Sequence, residues 1–357
     1  MIGIDSSHPI FKSPTIYYPV ISIPIPLSLL VTDQLTNIYS ITSSLPSIMG
    51  QKIAFDPDTD IPSLSGKVII VTGGNSGLGK ESILRLAKGS PREIFMGARS
   101  GLKAKEAIAE IKSVVPGANI SFLEIDLSSF ASIKRAADTF LAQSDRLDIL
   151  LNNAGLMGVP PGLTEDGYES QFGTNHMGPA LLTKLLMPTL EKTARLPDSD
   201  VRIVNLSSDA FRFAPSSGLL LSQNKTPLAE QRGTARYGQS KLANLYFTKS
   251  LAKHYPLIKS TAVHPGLVRT GITNNTTNSY PYLSWIFSIA FKLFLVTVEK
   301  GARPQLFAAT GKPELVKSGA FYYPGVEEYA GNELINNAEL ADTLWEWTER
   351  ELKEHGF

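Results

Sequence analysis

Tyr237 and Lys241, in the run Tyr237-Gly-Gln-Ser-Lys241, are four residues apart, a spacing that puts both side chains on one face of a helix. A phenol ordinarily holds its proton to about pH 10, too high for acid–base work near neutrality. A nearby ammonium favours the phenolate and lowers that value, which would let the pair exchange a proton with a substrate oxygen. The spacing alone is common, and its plain reading is a half-exposed aromatic beside a solvated lysine. Other residues bear on the choice. Thr72-Gly73-Gly74-Asn75-Ser76-Gly77-Leu78-Gly79 follows an apolar run and opens an amphipathic one. Glycines at 73, 77 and 79 allow a tight turn whose free N–H groups can hold a pyrophosphate. The spacing is Gly-x-x-x-Gly-x-Gly, not the commoner Gly-x-Gly-x-x-Gly.

Further polar residues stand where apolar runs end. Met96-Gly97-Ala98-Arg99 places Arg99 where a cofactor without a 2′-phosphate would want an acid, so NADP(H) is favoured over NAD(H). Asp126, followed by Leu127, could accept from an adenine amino group or cap the next helix. Asn152-Asn153-Ala154-Gly155 offers small and amide residues that let a backbone approach a ligand. Asn175 lies inside a long helical stretch, where asparagine is mildly unfavourable. Ser207 and Ser208 end the run Val204-Asn-Leu-Ser-Ser208, where a hydroxyl can face a carbonyl. His264-Pro265-Gly266-Leu267-Val268-Arg269-Thr270 could fold over the nicotinamide half of a cofactor. His176 is read as structural.

The elements that must position these residues alternate along the chain. Short β-branched runs are expected at Lys67–Val71, Glu93–Ala98, Ile120–Ile125, Leu147–Leu151, Val201–Leu206, Ser260–Val263 and Ala320–Tyr323. Helical stretches are expected near 79–88, 101–114, 129–142, 170–193, 235–255, 298–310 and 338–354. Most of the strands are continuously apolar, as in a parallel sheet covered on both faces. The reading is a single α/β, doubly wound (Rossmann-type) domain over residues 64–350, with a mainly parallel seven-stranded sheet and a tail at 351–357.

Taken together and in this order, Thr-Gly-x-x-x-Gly-x-Gly, Asn-Asn-Ala-Gly, the helical asparagine, the strand-end serine, Tyr-x-x-x-Lys and Pro-Gly resemble the short-chain dehydrogenase/reductase family. The resemblance covers Leu64 to Arg350. The long gap between Ser208 and Tyr237, the phrase Lys241-Leu-Ala-Asn244 and the late Leu344-Trp-Glu346 segment are similar to its retinol dehydrogenase and WW-domain oxidoreductase branch. The resemblance implies that Tyr237 is the acid–base, and that Lys241 lowers its pKa and holds the nicotinamide ribose. It implies that Ser208, the second of its pair, polarises the substrate oxygen, and that Asn175 holds a water linking Lys241 to solvent. The cofactor site expected is Gly73, Asn75, Ser76, Gly77, Leu78, Gly79, Arg99, Asp126, Leu127, Asn153, Ala154, Gly155, Pro265, Gly266, Val268 and Thr270, with Tyr237 and Lys241.

Composition bounds the rest. The chain has 357 residues, 43% hydrophobic and 19% charged, with a net charge of +1, which argues against nucleic acid as the main partner. It contains no cysteine, which removes disulfides and thiolate chemistry and fits a reducing, cytoplasmic setting. Its five histidines show no ligand spacing, which argues against a catalytic metal. Residues 1–60 are expected to be a poorly ordered extension. The apolar stretch Thr15–Val31 is broken by Pro19, Pro24 and Pro26 and is shorter than the about 20 residues of a spanning helix. Met49 is an alternative start, although Ala54 stands where a myristoylation motif wants Ser or Thr. The insert Ala210–Arg236 should border a substrate pocket, and a lid is expected near 270–298, where Tyr280–Val298 is rich in apolar and aromatic residues. An apolar lid suits a small lipophilic substrate, and a membrane-surface helix is its rival reading. The function expected is NADP(H)-dependent hydride transfer to or from a lipophilic alcohol, aldehyde or ketone. The alternatives are a cofactor-loaded redox sensor or scaffold, and an epimerase or dehydratase on the same fold. Members of the family often form homo-oligomers.

Overall fold

The structure is a computed structural model that describes residues 49–268 and 296–357. Thr270, the Tyr280–Lys292 part of the expected lid and the stretch 1–48 lie outside the described residues. The described residues begin with β1 (Met49–Lys52), β2 (Val68–Thr72), α1 (Gly77–Lys88), β3 (Glu93–Ala98), α2 (Gly101–Val114), β4 (Ile120–Glu124), α3 (Phe130–Gln143) and β5 (Ile149–Asn152). A long helix, α4, is built from Ser170–Phe172, a π-helical turn Gly173–Met177, and Gly178–Ala194. After it come β6 (Val201–Leu206), a 3₁₀ turn Asp209–Phe213, α5 (Gly233–His254), β7 (Ile258–Val263), α6 (Val298–Thr310), β8 (Phe321–Tyr323), β9 (Glu327–Tyr329) and α7 (Ala338–Glu354).

The strands form one sheet in the order β1-β9-β8-β7-β6-β5-β2-β3-β4. Strands β2 to β8 run parallel to one another, with Ile70 of β2 opposite Phe95 of β3 on one side and Leu150 of β5 on the other. All five residues of β2 are buried, as a strand covered on both faces requires. One apolar layer packs α3, α4, α5 and α7 on one face, with Phe95 edge-on to Phe140 at 4.9 Å. The other packs α1, α2 and α6 on the opposite face. From β2 the chain runs one way to β3 and β4, then crosses back to β5 on the other side. That reversal opens a crevice at the carboxyl ends of β2 and β5, where open α/β sheets bind ligands.

Nine strands are present among the described residues where seven are expected. The two additional strands, β1 and β9, are antiparallel and close the edge beyond β8. Glu327-Glu-Tyr329 is short and charged and reads as loop in sequence, so only its pairing makes it a strand. The stretch expected to be loose enters the fold from Met49: β1 pairs with β9, and Phe55 is buried edge-on against Phe307 at 5.6 Å. The helix expected over 170–193 is interrupted by the π turn. Pro179 lacks an N–H, so it cannot give the Asn175 carbonyl its α-helical hydrogen bond, and the helix widens there.

Candidate active site

A cavity of about 450 Å³ occupies the crevice. Gly73, Asn75, Ser76, Gly77 and Leu78 line it, together with Arg99, Asp126, Leu127, Asn153, Ala154 and Gly155. Gly73 and Gly77 adopt φ of 66° and 51°, left-handed values that favour glycine. Gly79 lies beneath the turn, where a Cβ would stand 2.3 Å from the Gly73 carbonyl oxygen and 2.7 Å from Asn153 Nδ2. Ser76 opens α1 without a side-chain cap, which leaves the first N–H groups of the helix to an anion at the cleft. This donor set fits a dinucleotide pyrophosphate.

Neighbouring segments hold the loop in shape. Thr72 Oγ1 accepts from the N–H groups of Asn153 (3.1 Å) and Ala154 (3.0 Å), and Asn153 Nδ2 donates to Thr72 O at 2.8 Å. From α6 the wholly buried Gln305 donates through Nε2 to Ser82 Oγ at 2.6 Å and to Leu78 O at 3.2 Å. Sequence reasoning missed Gln305; its only signal was a lone amide within the apolar stretch of α6. Pro265 and Val268 stand against Gly301 at the start of α6 beside Leu78, and Gly266 takes φ 81°.

Two open sequence readings resolve in geometry. Asp126 does not cap α3, whose first N–H, on Phe130, donates instead to Asp166 Oδ2 at 2.8 Å. Asp126 Oδ1 accepts from Ser128 N (2.9 Å) and Ser128 Oγ (2.7 Å), which fixes the carboxylate at the cleft wall. Of the paired serines, Ser207 is buried and donates to Lys241 O at 2.8 Å, whereas the Ser208 hydroxyl stands beside the Tyr237 phenol and acts to lower its pKa. Ser208 Oγ also accepts from Ala210 N at 3.2 Å, which leaves its own hydrogen to donate.

Tyr237 and Lys241 share one face of α5, with Lys241 Nζ 5.5 Å from the centroid of the Tyr237 ring. Lys241 Nζ donates to Leu206 O at 2.9 Å. Asn175 clamps the loop after β5: its Oδ1 accepts from Leu156 N at 2.8 Å, and its Nδ2 donates to Leu156 O (2.9 Å) and Ser240 Oγ (3.0 Å). A Cβ on Gly155 would stand 3.1 Å from Asn175 Oδ1 and 3.5 Å from Lys241 Nζ, so Gly155 keeps this junction open.

Electrostatics depart from the simple picture of a lysine pulling a phenol down. The protein around Tyr237 desolvates its phenol and pushes it up to about 12, against a smaller lowering by the Ser208 hydroxyl. Burial likewise pushes Lys241 down to about 7. Such a lysine is uncharged before the phenol titrates, so its pull requires that it be held in the ammonium form. The sequence-based expectation weighed the charge of one group and omitted the desolvation of both. Desolvation keeps two histidines neutral: the buried His176 is pushed down to about 3 and bonds Thr348 Oγ1 at 3.0 Å, and the half-buried His264 is pushed down to about 4 beside Tyr323.

Comparison with known proteins finds relatives of the chain. The family model described as short chain dehydrogenase matches residues 67–219. An uncharacterized oxidoreductase of Schizosaccharomyces pombe is 38% identical over 74% of this chain and 78% of its own length. Retinol dehydrogenase 12 of Mus musculus is 34% identical over 79% of this chain and 85% of its own. Among solved structures, the NADPH-bound carbonyl reductase from chicken fatty liver is 26% identical, with a TM-score of 0.53 over 73% of this chain and 97% of that one.

Proposed function

This chain belongs to the short-chain dehydrogenase/reductase family and is an oxidoreductase acting on CH–OH donors, and from that premise we propose that it uses NADP(H) on a lipophilic alcohol, aldehyde or ketone. The observation that carries the proposal is that Tyr237 and Lys241 share one face of α5 with Ser208 beside the phenol, and that Lys241 Nζ reaches Leu206 O and Gly155, which line the cleft together with Arg99. The bound nicotinamide would supply or accept the hydride. The remaining work falls to the chain's own residues. In the reductive direction the Tyr237 hydroxyl gives its proton to the substrate oxygen, and the Ser208 hydroxyl donates a second hydrogen bond as charge develops there. In oxidation the same atoms run in reverse.

Lys241, held by Leu206 O, faces the cleft to bind a ribose hydroxyl and, when charged, to favour the phenolate. The Asn175 side chain is engaged at both ends, so the water relay from Lys241 is assigned to its main-chain carbonyl, which Pro179 leaves without an α-helical donor. Support for an apolar substrate comes from Phe213 and Leu267, 55% and 52% exposed on the two loops that leave β6 and β7 at this edge. The likeness to a retinol dehydrogenase points the same way. No helix among the described residues is long and apolar enough to cross a membrane. A cytoplasmic location belongs to this proposal and rests on the absence of cysteine.

Cofactor choice supplies the first test. Arg99 is exposed at the cleft wall and has no ion-pair partner among the described residues, so its guanidinium can fork onto a 2′-phosphate. Arg99→Ala is expected to weaken NADPH binding about ten- to a hundredfold, the worth of a charge-assisted hydrogen bond, and to leave NADH nearly unchanged. Fluorescence titration with both nucleotides measures this. Tighter binding of NADH than NADPH by the unaltered protein would overturn the assignment.

A further inference from the structure

Ser208 and Tyr237 lie on different elements, so how the Ser208 hydroxyl meets the Tyr237 phenol depends on how closely the turn after β6 approaches α5. That turn, Asp209–Phe213, rests on Gly238, the residue after the tyrosine. A Cβ at Gly238 would stand 2.6 Å from Ala214 N, 2.7 Å from Ala210 O and 2.8 Å from Phe213 C. All three are backbone atoms, so no side-chain rotation relieves the clash. Glycine inside a helix weakens it, and close approach of another backbone is the physical reason to keep one there. From its other side the turn is held by β8 and β9. The Asp209 carboxylate accepts from the Tyr323 hydroxyl and, at 2.7 Å, from Arg212 Nε. Arg212 Nη2 donates to the Tyr329 hydroxyl at 3.0 Å, and its guanidinium lies over the Phe211 and Tyr329 rings at 5.0 and 5.3 Å.

We propose that Gly238 is a positioning residue: by lacking a side chain it lets the Asp209–Phe213 turn seat against α5, and the Asp209–Tyr323 and Arg212–Tyr329 bonds press the turn there, which sets Ser208 against Tyr237. The proposal rests on the acid–base reading of Tyr237 given above. It makes the β8–β9 edge, far from the cofactor cleft in sequence, part of the apparatus that aligns the reacting oxygen.

The test compares Gly238→Ala with Ser208→Ala and with the double variant, measuring NADPH affinity by fluorescence and carbonyl reduction against pH. Gly238→Ala is expected to bind NADPH as the parent does and to lose about a hundredfold in kcat, as when one oxyanion donor is removed. The basic limb of its pH profile should move to higher pH, because the Tyr237 phenol loses the nearby Ser208 hydroxyl that acts to lower its pKa. Adding Ser208→Ala should then cost little more, since both changes remove one interaction. Parental kcat in Gly238→Ala, or losses that simply add in the double variant, would overturn the proposal. Should Gly238→Ala fail to fold, Tyr323→Phe removes the outer hydrogen bond of the clamp. It should give a smaller fall in kcat with the same upward shift of the limb, and an unchanged profile would count against the idea. Full turnover in Tyr237→Phe would remove the acid–base reading itself. An inactive Tyr237→Phe beside a fully active Gly238→Ala would remove only the positioning claim.

Discussion

Tyr237→Phe should lose about 10²- to 10⁴-fold in kcat, the contribution of a positioned acid–base group, with a far smaller change in NADPH affinity. The phenylalanine keeps the ring that packs beside Lys241 and removes only the oxygen that Ser208 contacts. The glycine loop, Thr72 and Gln305, which shape the cofactor end of the cleft, are untouched by the change. The loss should therefore appear in kcat under saturating cofactor, with folding and nucleotide binding retained. A variant with near-parental turnover would show that another group moves the proton.

The second large effect is on stability. Arg236, immediately before Tyr237, and Glu169, at the start of α4, form an ion pair 3.0 Å long with exposures of 3% and 0%. Arg236 Nη2 also donates to Val159 O at 3.0 Å, and Glu169 Oε2 accepts from Phe172 N at 2.8 Å. The pair thus ties α5 to the start of α4 and to the loop after β5. Arg236→Met leaves a buried carboxylate without its counter-ion, and a loss of about 3–5 kcal/mol of stability is expected from chemical denaturation. The loss should depend on pH. Burial already raises Glu169 above its ordinary value of 4.5, and removing the arginine raises it further. A carboxyl with a raised folded-state pKa contributes stability that is full below the unfolded value and is lost as pH rises through the folded one. The variant should therefore be less impaired near pH 5 than near pH 8. A deficit equal at both would show that the carboxylate is not the cause.

Much of this was legible in sequence because local pattern decided it. β3, β6, α2, α6 and α7 fall at their expected limits, since apolar period and length distinguish strand from helix within a single segment. Gly73, Asn75–Leu78, Arg99, Asp126, Leu127 and Asn153–Gly155 reached one cavity because each ends or follows a parallel strand, and parallel strands bring such ends to one edge. What was not legible depends on contacts between distant segments. Gln305 meets Leu78 across 227 positions, and Arg236 meets Glu169 across 67. β1 and β9 are strands only because they pair with each other and with β8. The upward push on Tyr237 and the downward push on Lys241 come from the burial of the whole site, which no spacing within Tyr-x-x-x-Lys encodes. The segment expected to choose the substrate, Tyr280–Val298, falls almost entirely outside the described residues.

The central claim is that this cleft moves hydride between NADP(H) and an apolar carbonyl or alcohol. Its most direct measurement follows NADPH oxidation by the purified protein across a panel of aliphatic, aromatic and polyene aldehydes and ketones, with polar sugars as controls. The account predicts carbonyl-dependent oxidation that is faster for the apolar members than for the sugars and disappears in Tyr237→Phe. Tight NADPH binding with no turnover on any member would contradict it, and would instead leave a cofactor-loaded sensor or scaffold.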